Sequence, residues 1–463
     1  MSTPAQSPAV VPWRFFAIHR SGPFAFFIDR GVESRPSFAG SRPREQLVVD
    51  ADGLVRHWRD GAWHDQDGDP LDCVAAFVER GRMRPAALPA WLVGETLPRT
   101  VGFLAYEFGR WADGPAQWRD GRAPGDRLGT PLAVLSTYDE VDAWDPRNGR
   151  SARVRFAAPG SHTDVPSLPA PDAAAWGDTA REAYRRGFAR IREAIAAGEI
   201  YQANLSRRAV FDLDEDAAEA YARLREVQPV PWGAFLDLGG FSLLSNSPEC
   251  FLVRRGETLL TRPIKGTRPR HGDPRVDAAE CAALSVDPKE MAEHLMIVDL
   301  ERSDLGRVAR TGSVEVSRFA AVESFATVHH MVSEVRAVLR EGTDLATLLR
   351  ATFPGGSITG APKLRAIEIL CDVEATERGP YTGAIGFFNG GEEVELSIAI
   401  RTALAAGGRV LYSTGGGIVA DSDPDREWDE TELKLAALRT ALAGAPHATG
   451  TSAPVRSKVG ING

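Results

Sequence analysis

The residues best suited to chemistry in this chain are a lysine, two pairs of glutamates and a strand-borne arginine, and Lys265 is the most informative of them. It stands in PIKGTRPR, between a strand-like run and a glycine turn. A primary amine in that setting is either an ordinary structural cation or a nucleophile, and as a nucleophile it must shed its proton, helped by burial or nearby positive charge. Glu290 and Glu293 lie three residues apart in the helical stretch DPKEMAEHLMIVDLERSDLGRV and so share a face, with Met291, Leu295 and Val298 marking the apolar side. In DREWDETELKLAALRTAL, Glu427, Glu430 and Lys434 fall at spacings of three and four and line one face of a second helix. If the two helices face each other, four carboxylates converge. That donor set suits magnesium, which binds oxygen, keeps several waters and is often completed by an anionic substrate. On solvated faces the same residues would leave only a Glu430–Lys434 pair worth ~0.3–0.5 kcal/mol.

Other motifs are weaker alone. Gly415, Gly416 and Gly417 join a strand to the second acidic helix, where backbone N–H groups could approach an anion or simply make a tight turn. TFPGGSITGAPKLRAIEI resembles a phosphate loop superficially, but Ala361 and Pro362 stand where such a loop needs Lys and Ser or Thr. Pro362 suits the start of the following helix, and Ser357 and Thr359 remain as hydroxyl donors. Alternation along VELSIAIRTAL puts Arg401 on the polar face of a strand, as a fork for a carboxylate or as half of a salt bridge. His329 and His330 are adjacent, so one at most faces a given pocket.

The elements that must position these groups point to an α+β fold of layered antiparallel β-sheets flanked by helices. Strand-like runs at 24–29, 132–138, 232–238, 250–254, 381–388 and 394–404 cluster rather than alternating with the helical stretches at 184–195, 288–309, 345–352, 361–371 and 426–442. Residues 13–157 form a leading region. The Ala-, Pro- and Ser-rich stretch 158–178 reads as a linker, 179–443 carries the chemistry, and 444–463 reads as a mobile tail. A net charge of −9 gives no broad basic field for nucleic acid or anionic membrane, so an anionic substrate must meet a local positive island. No apolar run spans a bilayer, and four scattered cysteines suggest neither zinc nor disulfides, so a reducing, cytoplasmic setting is expected.

Taken together, IYQANLSRR, SNSPECFLV, PIKGTRPR, KEMAEHLMIVDLERSDLGRV, FPGGSITGAPKLRAIEI, RGPYTGAIGFF, AIRTAL and GGGIVADSDPDREWDE resemble the chorismate-utilising enzymes, in family order over roughly residues 184–442. RPSFAGSRP and GFLAYEFGR resemble the N-terminal region of that family more loosely. The resemblance implies that Glu290, Glu293, Glu427 and Glu430 gather around Mg2+, which bridges to the ring carboxylate of chorismate. It implies that Ser357, Tyr381, Arg401, Gly416, Gly417 and Lys434, with Gly266 and Thr267 of the lysine motif, bind substrate. His330 matches the catalytic histidine, and Glu249 the acid or base that handles the departing 4-hydroxyl and the incoming ammonia.

Two positions discriminate within the family. Relatives that add water to chorismate carry a lysine where this chain has Gln202, an amide that cannot act as a base. Anthranilate synthases resemble PIAGT where this chain has PIKGT, the form of the aminodeoxychorismate synthases. The implied reaction is 4-amino-4-deoxychorismate formation from chorismate and ammonia, feeding p-aminobenzoate and folate or a related secondary metabolite. Lys265 is either its covalent nucleophile or a cation near the leaving group. Anthranilate synthesis is the alternative, and a non-catalytic chorismate-binding homologue a minor one. No cysteine lies in a glutaminase-like setting, so ammonia is expected from a separate glutamine amidotransferase subunit.

Overall fold

The protein is described here by a computed structural model, which covers residues 16–85, 87–112, 118, 128–156, 163–374 and 376–443. The expected tail at 444–463 and the start of the expected linker lie outside the described residues. Two large sheets dominate. One runs, in spatial order, through Gly360–Ala361, Gln202–Asp212, Arg409–Ile418, Thr402–Ala406, Ser242–Ser247, Trp232–Asp237, Phe26–Asp29, Ser37–Gly40, Glu140–Asp145 and Arg150–Arg155. The other carries the site lysine on its edge strand Ile264–Pro269, continues through Val328–Val338, Thr258–Arg262, Cys250–Arg255, Glu393–Ile398 and Ala384–Phe388, and passes into Thr100–Leu104, Ala133–Thr137 and Glu45–Val49. Neighbouring strands pair antiparallel, as in the Ala384–Leu104 and Phe26–Leu236 registers. This is the α+β arrangement of layered antiparallel sheets that the clustered strand patterns predict.

Both sheets cross the boundary between the leading and later segments, because Phe26–Asp29 pairs with Trp232–Asp237 and Thr100–Leu104 with Ala384–Phe388. Strands in the middle of each sheet are buried on both faces, and one apolar cluster takes Leu47, Val134 and Phe103 from the leading part with Phe251, Ile385 and Leu396 from the later one. The described part of the Pro- and Ala-rich stretch also packs. Val165, Leu168 and Trp176 are buried, and Leu168 bridges to Gly239.

The helices follow their local signals. Asp69, Asp287 and Asp423 each cap a helix whose first residue is proline, at Pro70–Arg80, Pro288–Gly306 and Pro424–Leu442. Pro362 likewise precedes the helix Lys363–Val373. In Pro288–Gly306 the expected apolar side is corrected: Leu295 is 56% exposed, and the buried face carries His294, Ile297, Val298, Glu301, Asp304 and Leu305. Its buried polar groups are matched locally, His294 by Ser333 at 2.6 Å and Asp304 by Lys363, while Val298 and Leu305 join the main apolar cluster.

A buried ion network ties the leading segment to the second sheet. Glu395, on the strand Glu393–Ile398, has a fully buried carboxylate that receives Arg35 at 2.7 Å, Arg255 at 3.2 Å and the buried Arg30 at 3.3 Å. Removing one partner of a buried network strands the other charges. Glu395→Ala is therefore expected to lower the unfolding free energy by about 3–5 kcal/mol, read as a drop in the denaturant midpoint; a loss below ~1 kcal/mol would show that the segments are joined by other contacts.

Candidate active site

Lys265 is presented by a β-bulge. Ile264 pairs with Val332 and Thr267 with His330, so Lys265 and Gly266 together oppose the single residue Met331. The glycine turn expected after Lys265 is thus a bulge within the strand. Gly266 has φ of 88°, and a Cβ there would lie 3.0 Å from Leu284 Cδ1 and 3.2 Å from Glu290 Oε2. The extra residue re-aims the lysine, whose Nζ lies 3.0 Å from Glu293 Oε2 with the side chain 24% exposed. Burial alone would lower the Lys265 pKa. The charge of Glu293, then of Glu430 and Glu290, outweighs it, and the ammonium is held above its ordinary value. The nearby charge is therefore the reverse of what a free amine needs, and the lysine is protonated in this state.

The two acidic helices do present their carboxylates to one locale. Burial and then Glu293 push the Glu290 carboxyl up; burial pushes Glu427 up, with Glu430 adding to it. Lys434 holds Glu430 below its usual range through a 2.7 Å ion pair and also donates to Gly415 O at 2.7 Å. Among the described residues no three acidic, histidine or cysteine side chains are drawn together as a closed ligand set. The reason is visible in the charges: Lys265 sits on Glu293 and Lys434 on Glu430, so ammonium groups answer the carboxylates. The donor set is nonetheless hard oxygen throughout, and its like-charged members repel, which fits a divalent cation.

Glu249 is buried immediately before the Cys250–Arg255 strand, within the field of Lys265. Ser357 Oγ donates to its Oε1 at 2.8 Å, yet burial pushes the carboxyl up to about 7, with Lys265 and Arg401 opposing the rise. A carboxyl poised there can both give and take a proton near neutral pH. His330 and His329 project to opposite sides of Val328–Val338. His330 Nδ1 meets Thr267 Oγ1 at 2.9 Å, while His329 bonds Ser324 and Asp277. Burial, then Arg401, lowers His330 to about 3, so it is a neutral imidazole, and its buried Nε2 has no protein partner.

Arg401 is not on a strand. Glu393–Ile398 ends in one sheet and Thr402–Ala406 begins in the other, and Arg401 occupies the crossing with φ of 50°. The alternation that predicts a continuous strand breaks because the chain changes sheets. The guanidinium keeps a buried Nη1 without a hydrogen-bond partner, and its pKa is lowered by burial. A desolvated, unpaired cation of this kind is a receptor for an anion.

The three glycines are also corrected: they end the strand Arg409–Ile418 rather than turning into the helix, and Gly415, Gly416 and Gly417 pair with Ser206, Leu205 and Asn204. They permit close approach. A Cβ on Gly415 would meet Leu205 O at 2.5 Å and Tyr381 Oη at 3.1 Å; on Gly417, the Gln202 amide at 2.9 Å. Tyr381 is buried, its pKa pushed up to about 12 by burial, and lies in the turn before the strand Ala384–Phe388. Glu107 holds that turn by accepting Arg378 N at 2.7 Å and Gly379 N at 3.0 Å. The Glu107 clamp is not visible in sequence, where nothing links residues so far apart.

Gly416 differs from Gly415, since a Cβ there would approach only the side-chain end of Glu427, at 3.0 Å, and no backbone. Gly415→Ala is expected to destabilise by about 1–3 kcal/mol because backbone must shift, whereas Gly416→Ala should stay within ~0.5 kcal/mol and crowd the acidic locale only. Thermal melts of the two variants check this; equal losses would contradict it.

Residues 33–440 match the family described as chorismate binding enzyme. The chain is 47% identical over 263 residues to the aminodeoxychorismate synthase of Streptomyces griseus, a match covering 57% of this chain and 36% of that protein; the chain thus spans about a third of that relative. It is 36% identical over 451 residues to aminodeoxychorismate synthase component 1 of Klebsiella aerogenes, covering 93% and 98%. It is 39% identical to anthranilate synthase component 1 of Streptomyces coelicolor, covering 81% and 78%. Anthranilate synthase component I of Streptococcus pneumoniae has the same fold, with a TM-score of 0.71 at 24% identity over 95% of each chain. With its sheet order, its bulged lysine strand and its paired acidic helices all inside the matched span, the chain belongs to the chorismate-binding enzyme family.

Proposed function

We propose that this chain converts chorismate and ammonia to 4-amino-4-deoxychorismate, for p-aminobenzoate and folate or a related product, with ammonia supplied from glutamine by a separate amidotransferase. Relatives named for this activity and relatives named for anthranilate synthesis both match, so the choice between them rests on one observation: the Lys265 amine is aimed by its bulge into the space between Glu249 and the acidic helices.

Chorismate carries two carboxylates and a poor leaving group, its 4-hydroxyl. The unpaired Arg401 guanidinium suits one carboxylate, and Tyr381, Ser357 and the backbone of Gly416 and Gly417 border the same space. Magnesium held by Glu290, Glu293, Glu427 and Glu430 would supply positive charge for the ring carboxylate and offset the negative field that keeps Lys265 protonated. The neutral Lys265 amine then bonds to the ring carbon beside the carboxylate-bearing one, both ring double bonds shift, and the C4–O bond breaks. Glu249 gives its proton to the departing oxygen, which leaves as water. Ammonia bonds to C4, the double bonds shift back, the bond to Lys265 breaks, and Glu249 takes a proton from the new nitrogen. His330, neutral and with Nε2 free, is placed to hydrogen-bond the leaving hydroxyl or the enolpyruvyl oxygen.

Among the described residues no helix is long and apolar enough to cross a membrane.

Purified protein incubated with chorismate, Mg2+ and ammonium should yield aminodeoxychorismate by mass, and Lys265→Ala should lose that product or divert it to anthranilate. Anthranilate as the main wild-type product would overturn the reading, and unchanged rate and product in the variant would remove the lysine's nucleophilic role. With free ammonia held constant, turnover should fall as pH rises through about 7, because Glu249, raised to that value by burial, is needed in its protonated form. A flat profile between pH 6 and about 9 would contradict the acid role.

A further inference from the structure

The turn joining the strand Glu315–Ser324 to Val328–Val338 borders a small side pocket of the site that the proposed chemistry leaves unassigned. Arg401 and His330 line it together with Pro229, Pro231, Pro248 and Phe325, around about 200 Å3 of empty space. Small-molecule sites begin at roughly 300 Å3, so this space suits one substituent of a ligand rather than a whole one. Arg401 Nη1 and His330 Nε2 are buried there without a protein partner. Asn246 holds the sides together, donating from N to Arg401 O at 3.0 Å and from Nδ2 to Gln228 O, beside Pro229, at 2.7 Å.

The three prolines are fixed in φ and have no long side chain to swing, so Phe325 is the adjustable aromatic member of the apolar lining. Its ring centroid lies 5.7 Å from that of His330. A three-residue connection with Ala326 and Thr327 exposed would by itself place such a ring poorly. Here it is latched from outside. Phe325 N donates to Val328 O at 2.8 Å, and Arg270 donates from N to Thr327 O at 3.0 Å and from Nη1 to Phe325 O at 2.7 Å. Ser324 Oγ meets His329 Nδ1 at 2.8 Å. Both chains end on one carboxylate, Asp277 of the helix Pro274–Val286, which accepts Arg270 Nε at 2.8 Å and meets His329 Nε2 at 3.1 Å.

We propose that Phe325 is a specificity-determining residue, closing the side pocket around the enolpyruvyl group of chorismate, and that Asp277 is the positioning residue that latches its turn. The group matches the lining in three ways. Its carboxylate is the anion that the unpaired Arg401 guanidinium lacks. Its ether oxygen can accept from His330 in the tautomer protonated at Nε2, and its flat C=CH2 end lies against Phe325 and the prolines. A saturated side chain has a tetrahedral carbon and a methyl at that point, so the same slot receives it less well.

This inference rests on chorismate being the substrate, but not on which product forms. The probe is the chorismate analogue whose side chain is reduced to a lactyl ether, assayed as a competitor of chorismate consumption with Mg2+ and ammonium. Its Ki divided by the KM of chorismate measures the discrimination, and wild type should favour chorismate by about ten-fold or more. Phe325→Ala should raise KM about ten-fold with kcat within about three-fold, and bring the ratio down to about one; Phe325→Leu should recover part of it. Asp277→Asn should lower the ratio, and adding it to Phe325→Ala should lower it no further, because Asp277 acts only through the turn. A wild-type ratio of about one, or a ratio unmoved by Phe325→Ala, would overturn the specificity role; a ratio unmoved by Asp277→Asn would overturn the latch. Anthranilate as the product would remove the proposed reaction while leaving the ratio readable. If chorismate is not consumed, equilibrium dialysis of the two ligands gives the same ratio as a quotient of Kd values.

Discussion

The pocket is organised by an ammonium placed where negative charge is in excess. Glu290, Glu293, Glu427 and Glu430 come from the first turns of two helices, and their mutual repulsion is relieved by Lys265 on Glu293 and Lys434 on Glu430. In that balance the carboxylates that would accompany a metal also keep the Lys265 amine protonated until their charge is offset. The same placement explains why the lysine needs a bulge. A regular strand would send residue 265 to a face set by simple alternation, whereas the added residue and the left-handed Gly266 aim it at the acidic helices.

The sheets serve this arrangement by bringing distant residues to one place. The lysine strand, the histidine strand and Glu249 belong to one sheet, the glycine strand to the other, and Arg401 sits where the chain passes between them. Such a crossing is costly to build, because it holds a large side chain at positive φ and leaves part of its guanidinium unpaired. The buried network around Glu395 and the Glu107 clamp anchor the surrounding elements, so the positive φ and the buried unpaired guanidinium nitrogen of Arg401 are tolerated.

Much of this was legible in the sequence. Helical spacing identified the two acidic faces, proline and aspartate marked the helix starts, and clustered strand patterns indicated layered antiparallel sheets. The errors share one cause, which is that local periodicity does not reveal where a chain changes partners. Alternation through Arg401 suggested one strand where two sheets meet; the glycines at 415–417 suggested a turn where close strand packing needs them; and Gly266 suggested a turn where a bulge lies. The sign of the field at Lys265 is not legible in sequence, because it depends on which helices fold against its strand.

The central claim is that Lys265 bonds to the substrate, and intact and peptide mass spectrometry of the enzyme quenched with chorismate and Mg2+ but without ammonia tests it most directly. The account expects an adduct of chorismate less one water on the peptide bearing Lys265, discharged when ammonia is added. A protein that forms aminodeoxychorismate with ammonia yet shows no adduct on that peptide at any quench time would contradict it, and would leave Lys265 as a cation beside the leaving group.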